Sequence, residues 1–520
     1  MALNPGKSDP GPLRDYLIAT CFGIALVVWY QWSFGQYASP WMGDAGRYVE
    51  ATRSFLRGEP FLLREPDGAT PIRLWPPGYP FLGGVFALVG VDPATAILLV
   101  AQLAVAVLSP ACFWALGHRF NQTVRICTVI VCVTAPGVLT NANLVSSDAV
   151  FLVFAVLVIG LVIRGRFGLG AGLACLSLMV RNSAVALILT VGVTAILDDP
   201  RPRVVAKRIA ACVFGGLAPL VLVAGWNLYA FATLTPYQMP QSTTGLWKNT
   251  ADMGRAIIYD LVPIWSLAEA VPGLLVTALT LAMACTVAAT GILRANPDSG
   301  TRRAALCVGA YIIFGVVMTI AARTRYQWGE GIWERHSAQY DWLLIPAVAM
   351  FALVFVRMRP SMIRAMIIAI TLLIVVTRGW NVVTRLTQMG AEAPVVETIV
   401  ETGDATISTT APLRQMFRAF GAVEGLGNVL REAAPTCLIV SNLADLFVGV
   451  FDVRAFGLDG FQSQPVQGPV LFVIAVLGPA AGGTPPAPEG TKRLLIAGIP
   501  AGLRFYSNRA DVCLPSALNR

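Results

Sequence analysis

The sequence predicts a polytopic α-helical membrane protein with about eleven transmembrane helices and a small extracytoplasmic α/β domain at its C-terminal end. Hydrophobic residues make up 56% of the 520 residues, and charged residues only 13%. Soluble globular proteins carry about 25% charged residues. This chain therefore has too little charge to cover a water-facing surface, which excludes a soluble enzyme, a disordered protein and a collagen-like fibre.

The membrane helices are predicted from runs of apolar residues. A helix needs roughly 17–25 such residues to cross the hydrocarbon core of a bilayer. Eleven runs, several of them short, are candidates: 17–34, 95–116, 124–140, 148–163, 169–180, 183–197, 205–228, 271–293, 304–321, 341–356 and 362–377. No cleavable signal sequence precedes the first run, so we expect it to remain in the protein. The apolar segment 77–90 is shorter, and we interpret it as a juxtamembrane or re-entrant helix.

The orientation is predicted from the loop charges, because Lys and Arg favour the cytoplasmic side of a membrane. If the N-terminus is cytoplasmic, every second connection lies on that side, and all six of these are basic. Their cations are Lys7, Arg14, Arg119, Arg125, Arg164, Arg166, Arg201, Arg203, Lys207, Arg208, Arg294, Arg302, Arg303, Arg357, Arg359 and Arg364. We therefore predict a multi-pass cell-membrane protein with a cytoplasmic N-terminus. The net charge of +9 then reflects this loop bias, and no nucleic-acid partner is expected.

A change in composition near residue 390 predicts two domains. Residues 1–390 form the transmembrane domain, whose first outside loop is 35–94, and residues 391–520 form the extracytoplasmic α/β domain. Within the second domain, helical periodicity marks 413–433, and short apolar segments typical of strands are 436–442, 469–477, 492–498 and 503–508. Cys437 and Cys513 lie in this domain, where an oxidising compartment would allow them to form a disulfide.

Several common motifs are missing from the sequence. It has no P-loop, HExxH or CxxC motif. With only two histidines, a His-rich metal site is excluded. The glycines at 168, 170 and 172 lie within a predicted span, where close helix packing explains them better than a nucleotide loop does.

The first outside loop carries the first candidate site residues. Asp44, Arg47 and Tyr48 fall within one helical turn, so their side chains share a face. Asp44 suits a helix N-cap, and it also suits a general base or a cation ligand. The following segment IRLWPPGYPF, with Arg73 and Tyr79, is either a turn at the lipid boundary or the wall of a lipid-facing cleft.

Further charged residues are predicted on the same face of the membrane. Asp148 stands at the start of a span, where the helix dipole accounts for it without a function. Arg181 interrupts an apolar run. Between two later spans, 322–342 concentrates Arg323, Arg325, Glu330, Glu334, Arg335, His336, Tyr340 and Asp341. Guanidinium groups beside aromatic rings suit phosphate binding, although a snorkelling interfacial loop has the same composition.

These motifs, taken in order, resemble the GT-C superfamily of membrane glycosyltransferases. The branch in question includes protein O-mannosyltransferases and lipid A aminoarabinose transferases. The similarity is carried by GDAGRY around Asp44, the PPGYP turn at 76–80, SSDAVFL at 146–152, the span with Arg181, GWNLYAFATLTP at 225–236 and ERHSAQYDWLLIPA at 334–347. The segment beginning TCLIVSN at residue 436 is also similar to the outside domain of bacterial members.

The resemblance implies an inverting transferase that moves a sugar from a polyprenyl-phosphate donor to a hydroxyl acceptor. Asp44 would be the general base or would help to bind a divalent metal, Mg²⁺ or Mn²⁺. The donor phosphate would be held by Arg335, Arg323, Arg325 and Arg181, with His336 as a further donor. The substrate cleft would be completed by Arg47, Tyr48, Arg73, Tyr79, Asp148, Glu330, Glu334 and Tyr340. Membrane lipid is the other expected partner.

A transporter or flippase for a lipid-linked glycan is the alternative, because it would also need cations beside a cleft. Transporters commonly contain paired halves with broken helices at corresponding positions. No such duplication is present in this sequence, which favours the enzyme.

Overall fold

The computed structural model describes the chain in segments, most of them helical. The described residues are 13–34, 45–59, 62–65, 68–71, 76–117, 119–142, 144–233, 244–293, 299–325, 332, 334–354, 356–391, 426–441, 456–457, 468–475, 490–494 and 503–514.

The first part of the fold runs from α1 to α9. It comprises α1 (Leu13–Phe34), α2 (Ala45–Leu56), the hairpin β1 (Leu62–Glu65) and β2 (Gly68–Pro71), α3 (Gly78–Ala87), α4 (Pro93–Leu116), α5 (Gln122–Val133), α6 (Pro136–Leu139), α7 (Asp148–Ile163), α8 (Phe167–Leu176) and α9 (Val185–Leu197). Short 3₁₀ turns, Ser177–Met179 and Asn182–Ala184, join α8 to α9 on either side of Arg181.

The second part of the helical region runs from α10 to α17. It comprises α10 (Pro202–Phe231), α11 (Leu246–Leu261), α12 (Trp265–Ala270), α13 (Gly273–Leu293), α14 (Ser299–Arg325), α15 (Glu334–Asp341), α16 (Leu344–Val354) and α17 (Pro360–Ala391).

Eleven apolar helices among the described residues coincide with the eleven predicted runs. Six of them, α1, α4, α10, α13, α14 and α17, are long and apolar enough to cross a membrane, and α5, α7, α8, α9 and α16 are shorter apolar helices. The polytopic α-helical fold class is therefore confirmed. The segment 77–90 contains the ten-residue helix α3, which is only about 15 Å long at 1.5 Å per residue and cannot span the hydrocarbon core.

Two helix boundaries and one connection differ from the prediction. The run 124–140 breaks after Val133, because Pro136 begins a new helix and cannot continue the old one. The connection 229–270 contains α11 and α12, which were not predicted. In α11, charged residues alternate with apolar ones at helical spacing, so the helix is amphipathic and leaves no continuous apolar run. Helix α17 continues to Ala391, well beyond the predicted end at 377.

The C-terminal region contains a five-stranded mixed sheet. Helix α18 (Leu426–Ala433) precedes β3 (Leu438–Ser441), β4 (Phe456–Gly457), β5 (Val470–Ala475), β6 (Lys492–Leu494), β7 (Leu503–Ser507) and α19 (Ala510–Cys513). The strand order is β4-β3-β5-β7-β6. Strand β3 pairs in parallel with β4 and β5, whereas β7 is antiparallel to β5 and β6.

The sheet confirms the small C-terminal α/β region and four of the predicted strand positions. Cys437 and Cys513 form a disulfide with their Cα atoms 5.4 Å apart, which ties α19 to the start of β3. Of the predicted helix 413–433, the part from Leu426 is helical and the part before it lies outside the described residues. The boundary at 390 stays a prediction.

The helical region has two chemically different ends. At one, which we call the basic end, the last turns of α7 and α9 meet the starts of α10 and α14. Arg303 there contacts Asp198 and the carbonyl of Ile163. The opposite end carries the start of α7 with Asp148, the break between α8 and α9 with Arg181, and the last turn of α14.

Candidate functional site

The structure describes only some of the predicted site residues. Asp44, Arg73 and Glu330 lie outside the described residues. Glu334 and Arg335 lie in α15, where the backbone alone is described. The roles assigned to these five residues therefore stay predictions.

A hydrogen-bonded network joins three of the other predicted residues at the opposite end. The Tyr48 hydroxyl on α2 lies 3.1 Å from Ser147 Oγ. Arg181 Nη1 donates to the same Ser147 oxygen at 3.4 Å and lies 2.6 Å from Asp148 Oδ1. The first loop, the start of α7 and the α8–α9 break are thus held together, as the prediction of a single site requires.

The Asp148 carboxylate is buried, and its charge is balanced locally. Ser146 Oγ donates to Asp148 Oδ2 at 2.6 Å, and the Asp148 backbone N–H donates to the same Ser146 oxygen at 3.2 Å. Ser147 occupies the N-cap position of α7 but makes no side-chain capping bond. The carboxylate therefore holds the guanidinium of Arg181, whose side chain remains 23% exposed. Since Arg carries five N–H donors in a planar fork, Arg181 keeps donors available for a ligand.

The PPGYP motif packs against this network through Tyr79. Tyr79 is fully buried, its ring packs edge-to-face on Tyr48 at 5.0 Å between centroids, and its hydroxyl donates to the Ile97 carbonyl at 2.9 Å. A side chain at Gly78 would collide with the carbonyl of Met179, which lies two residues before Arg181. In this conformation Tyr79 supports the site through packing and does not line a cleft.

A second group forms where α14 meets α15. The Arg323 guanidinium is buried and hydrogen-bonded to His336 Nε2. Because an arginine can only donate, His336 Nε2 is the acceptor of this hydrogen bond. The predicted role of His336 as a donor would therefore use Nδ1 in this arrangement. Arg325, in the last turn of α14, is exposed.

The two groups lie on neighbouring elements. Helix α15 packs against α6, α7, α11 and α14. Arg47 is exposed on α2, beside the buried Tyr48. The hydroxyl of Tyr340 donates to the sulfur of Met253 on α11, and Tyr340 is fully buried. Tyr340 therefore anchors α15 and, like Tyr79, supports the site without facing it.

A buried charged cluster under α15 was missed by the sequence reasoning. Arg378 on α17 donates from Nε and Nη2 to the backbone carbonyl of Asp260 at 3.0 and 2.6 Å, and from Nη1 to the Val131 carbonyl at 2.6 Å and to Thr134 Oγ1 at 2.8 Å. The Asp260 carboxylate accepts from the Gly137 backbone N–H at 3.3 Å. The cluster thereby joins α5, α6, α11 and α17 beneath the candidate site.

Asp341, the last residue of α15, completes this cluster. It is 1% exposed and lies outside the apolar helix that begins at Leu344. Burial, and then the neighbouring Asp260 carboxylate, raise the pKa of Asp341 well above its usual range. The raised pKa favours the neutral, protonated form of Asp341, and Arg378 balances the charge of Asp260. The sequence did contain an indication that Arg378 is buried, because it directly follows the apolar run 362–377.

The resemblance raises the question of whether the described residues could form a metal site. Among them, no three His, Cys, Asp or Glu side chains come together in a way that could hold a metal ion. Asp44, to which the resemblance assigns a metal role, lies outside them.

Comparison with known proteins identifies the fold. No protein-family model matches the chain, and no curated protein sequence matches it significantly. The crystal structure of ArnT from Cupriavidus metallidurans bound to undecaprenyl phosphate superposes with a TM-score of 0.51 at 12% identity, covering 96% of this chain and 99% of that one. The apo form of the same protein gives a TM-score of 0.53 at 11% identity and covers 95% and 99%. The chain thus has the fold of these two structures, as the resemblance implied.

Proposed function

We propose that this chain, which has the fold of ArnT, is a membrane glycosyltransferase that uses a polyprenyl-phosphate-linked sugar. The observation that carries the proposal is the match over nearly the whole length of both chains to a structure that holds undecaprenyl phosphate. Since one fold can host different functions, the proposal also needs support from the site. That support is the network of Tyr48, Ser147, Asp148 and Arg181, together with the Arg323–His336 pair beside it.

The proposed reaction is an inverting displacement at the anomeric carbon. Asp44 takes the proton from the acceptor hydroxyl as its oxygen attacks that carbon. The new glycosidic C–O bond forms while the bond from the anomeric carbon to the lipid phosphate oxygen breaks. The electron pair of the broken bond leaves with the polyprenyl phosphate, whose negative charge increases as it departs.

The cations of the site are proposed to stabilise that leaving group. Positively charged donors fixed before the reaction are most effective where charge develops during it. Arg181 is held by Asp148 and keeps exposed donors, and Arg325 is exposed at the end of α14. Arg335, on the helix that carries His336, is the other proposed ligand. The buried Arg323 and its hydrogen-bond partner His336 then fix the position of α15.

We further propose that the site faces the outside of the cell. The basic end carries the Lys- and Arg-rich connections, which favour the cytoplasm. The Cys437–Cys513 disulfide supports placing the C-terminal domain in an oxidising compartment. The donor would then be bound from the outer leaflet.

Asp44→Asn in the purified, reconstituted protein tests the proposal. Release of undecaprenyl phosphate from a panel of undecaprenyl-phosphate-linked sugars should fall by at least about 100-fold, because a general base contributes 10²–10⁴ in rate. Binding of undecaprenyl phosphate itself, measured by native mass spectrometry, should remain unchanged.

Asp92→Asn is the matched control, since it removes the same charge from the same predicted loop. Asp92 caps α4 by accepting from the Thr95 backbone N–H at 3.0 Å, and Asn caps a helix equally well. Full activity of Asp44→Asn would contradict the role of base. Movement of labelled lipid-linked sugar across the bilayer without any transfer, by the unmodified protein, would contradict the enzyme and favour the flippase.

A further inference from the structure

A cavity of about 800 Å³ opens at the basic end, away from the candidate active site. It lies between the α7–α8 turn, the first turns of α10 and the start of α14. Its lining residues are Arg164, Gly165, Arg166, Phe167, Gly168, Leu169, Arg203, Val204, Lys207, Arg208, Ala211 and Arg303. None of them has a role in the function proposed above. The volume falls within the range of about 300–1,000 Å³ that is usual for ligand sites.

The charge of this cavity is strongly one-sided. Six of its lining side chains are cationic. Among the described residues, the only carboxylate paired with any of them is Asp198, whose side chain is fully buried. Asp198 Oδ2 lies 2.8 Å from Arg208 Nη2 and 3.0 Å from Arg303 Nε. The one carboxylate thus holds both arginines in place but neutralises only one positive charge, and the remaining positive charge faces the cavity.

Three of the cations are positioned by the protein. Arg164 donates to the carbonyls of Ala115 and Gly160 at 3.2 and 2.9 Å, and its guanidinium stacks over Trp114 at 3.9 Å. Burial lowers the pKa of Arg164 to about 10, so it stays charged at neutral pH. The other two are Arg208 and Arg303, which are fixed by Asp198.

The remaining three cations are accessible. Arg166, Arg203 and Lys207 are exposed. Within the part of the chain that the structure describes, they have no ion pair or side-chain hydrogen bond. Arg203 and Lys207 are four residues apart on α10, so both project from the same helix face into the cavity. They are therefore available to an anionic ligand.

An apolar stripe leads from the cavity along the surface of α8 and α10. Leu169, at the rim, is 64% exposed, and Phe214, two turns beyond Lys207, is 77% exposed. Leu217 and Val221 continue the same face of α10 and are also exposed. Only 6% of the most apolar stretch of α10 is buried inside the protein. In a membrane-spanning helix such a face contacts lipid tails.

We propose that this cavity binds the headgroup phosphate of an anionic phospholipid, with its acyl chains along the apolar stripe of α10. Guanidinium and ammonium groups bind phosphate oxygens through charge-assisted hydrogen bonds. Basic pockets between transmembrane helices at the cytoplasmic side are suited to such headgroups. A soluble anion would use the cations alone, whereas the lipid also uses the exposed stripe. The lipid would link α8, α10 and α14 at the end opposite the active site.

The test is native mass spectrometry of the full-length protein in detergent micelles with phosphatidylglycerol or phosphatidylcholine at equal concentration. The protein should retain phosphatidylglycerol in preference. Arg203→Gln/Lys207→Gln should weaken its binding by about 25-fold, since a cation near the membrane surface contributes about 1 kcal/mol, or about fivefold. The matched control is Arg359→Gln/Arg364→Gln. It removes two exposed cations outside the cavity and should leave binding unchanged.

Three results would overturn the proposal. The first is equal retention of the two lipids by the unmodified protein. The second is unchanged phosphatidylglycerol binding by the cavity variant. The third is a thermal stabilisation by glycerol 1-phosphate as large as that by phosphatidylglycerol at the same concentration, which would assign the cavity to a soluble anion. Binding is read directly, so the outcome is independent of sugar transfer.

Discussion

Three ionisable side chains are buried together where α11, α15 and α17 meet. Arg378 holds the backbone carbonyl of Asp260 with two donors, and Asp341 lies beside the Asp260 carboxylate with its pKa raised by burial and by that carboxylate. Two ionised carboxylates against one guanidinium would leave a net charge away from water, which is costly. Protonation of Asp341 removes that cost.

Asp341→Asn should therefore stabilise the protein more as the pH rises. In the unmodified protein, burial raises the folded-state pKa of Asp341, whereas in the unfolded chain this carboxyl ionises with a pKa of about 4. Folding thus becomes less favourable as pH increases toward the folded pKa. Asn mimics the protonated acid and has no such penalty. The difference in melting temperature, Asp341→Asn minus unmodified, should grow between pH 4 and pH 8 in detergent.

Two further variants check this interpretation. Asp252→Asn changes a partly exposed carboxylate of α11, which pairs with Arg255 at 3.0 Å, and its melting-temperature difference should not grow with pH. Arg378→Gln should cost about 3–5 kcal/mol, because it leaves a buried carboxylate without its cation. A melting temperature of Asp341→Asn that drops below the unmodified value as pH rises would contradict the protonated state.

At the scale of elements, glycines set the separation of α8 and α10. A Cβ atom at Gly215 would overlap the carbonyl oxygen of Gly168, and one at Gly172 would lie 2.8 Å from the carbonyl oxygen of Gly215. The backbones of the two helices therefore touch, as small residues allow in membrane helix pairs. The predicted close packing is confirmed at Gly168 and Gly172, which meet α10, whereas Gly170 packs against Val162 of α7. The α8–α10 contact also shapes one side of the basic cavity.

Gly215→Ala should destabilise the protein by about 1–3 kcal/mol, because the added methyl group overpacks a backbone contact. Gly225→Ala, in the same helix, is the control. A Cβ atom there meets nothing within 4 Å, and Ala favours a helix over Gly by up to about 1 kcal/mol. Thermal unfolding in detergent compares the two. Equal effects of both substitutions would contradict a tight α8–α10 contact.

At the scale of the whole molecule, the number of spans decides where the termini lie. The predicted topology counts eleven spans, an odd number, and in it α1 begins and α17 ends on opposite sides of the membrane. The loop charges assign the start of α1 to the cytoplasm. In the topology proposed above, the C-terminal sheet and its disulfide lie outside, on the side of the candidate site.

Alkaline phosphatase fusions test this topology, because that enzyme is active only when exported. A fusion after Arg520 should be active, and a fusion after Pro200, in the basic connection before α10, should be inactive. Alkylation of the denatured protein without reductant should modify eight of its ten cysteines, leaving Cys437 and Cys513 unlabelled. An inactive fusion after Arg520, or ten alkylated cysteines, would contradict the outside placement.

The sequence by itself determined the class of this protein, its apolar helices and the glycine contacts. Composition and hydrophobic runs can be read directly from the sequence. They predict membrane helices because each span must be apolar and must form its backbone hydrogen bonds within its own helix. The amphipathic helix α11 was not predicted in this way, because its apolar residues do not form a continuous run.

Only the tertiary structure decided which charges meet. Ser147 joins Tyr48 to Arg181 across 99 and 34 residues of chain, and Arg378 reaches Asp260 across 118 residues. The sequence motifs predicted that Tyr79 and Tyr340 line the substrate cleft, whereas both side chains are buried in the fold. A buried polar group must form a hydrogen bond with a neighbouring group. Which group that is depends on which helices pack together, and the sequence alone does not show this.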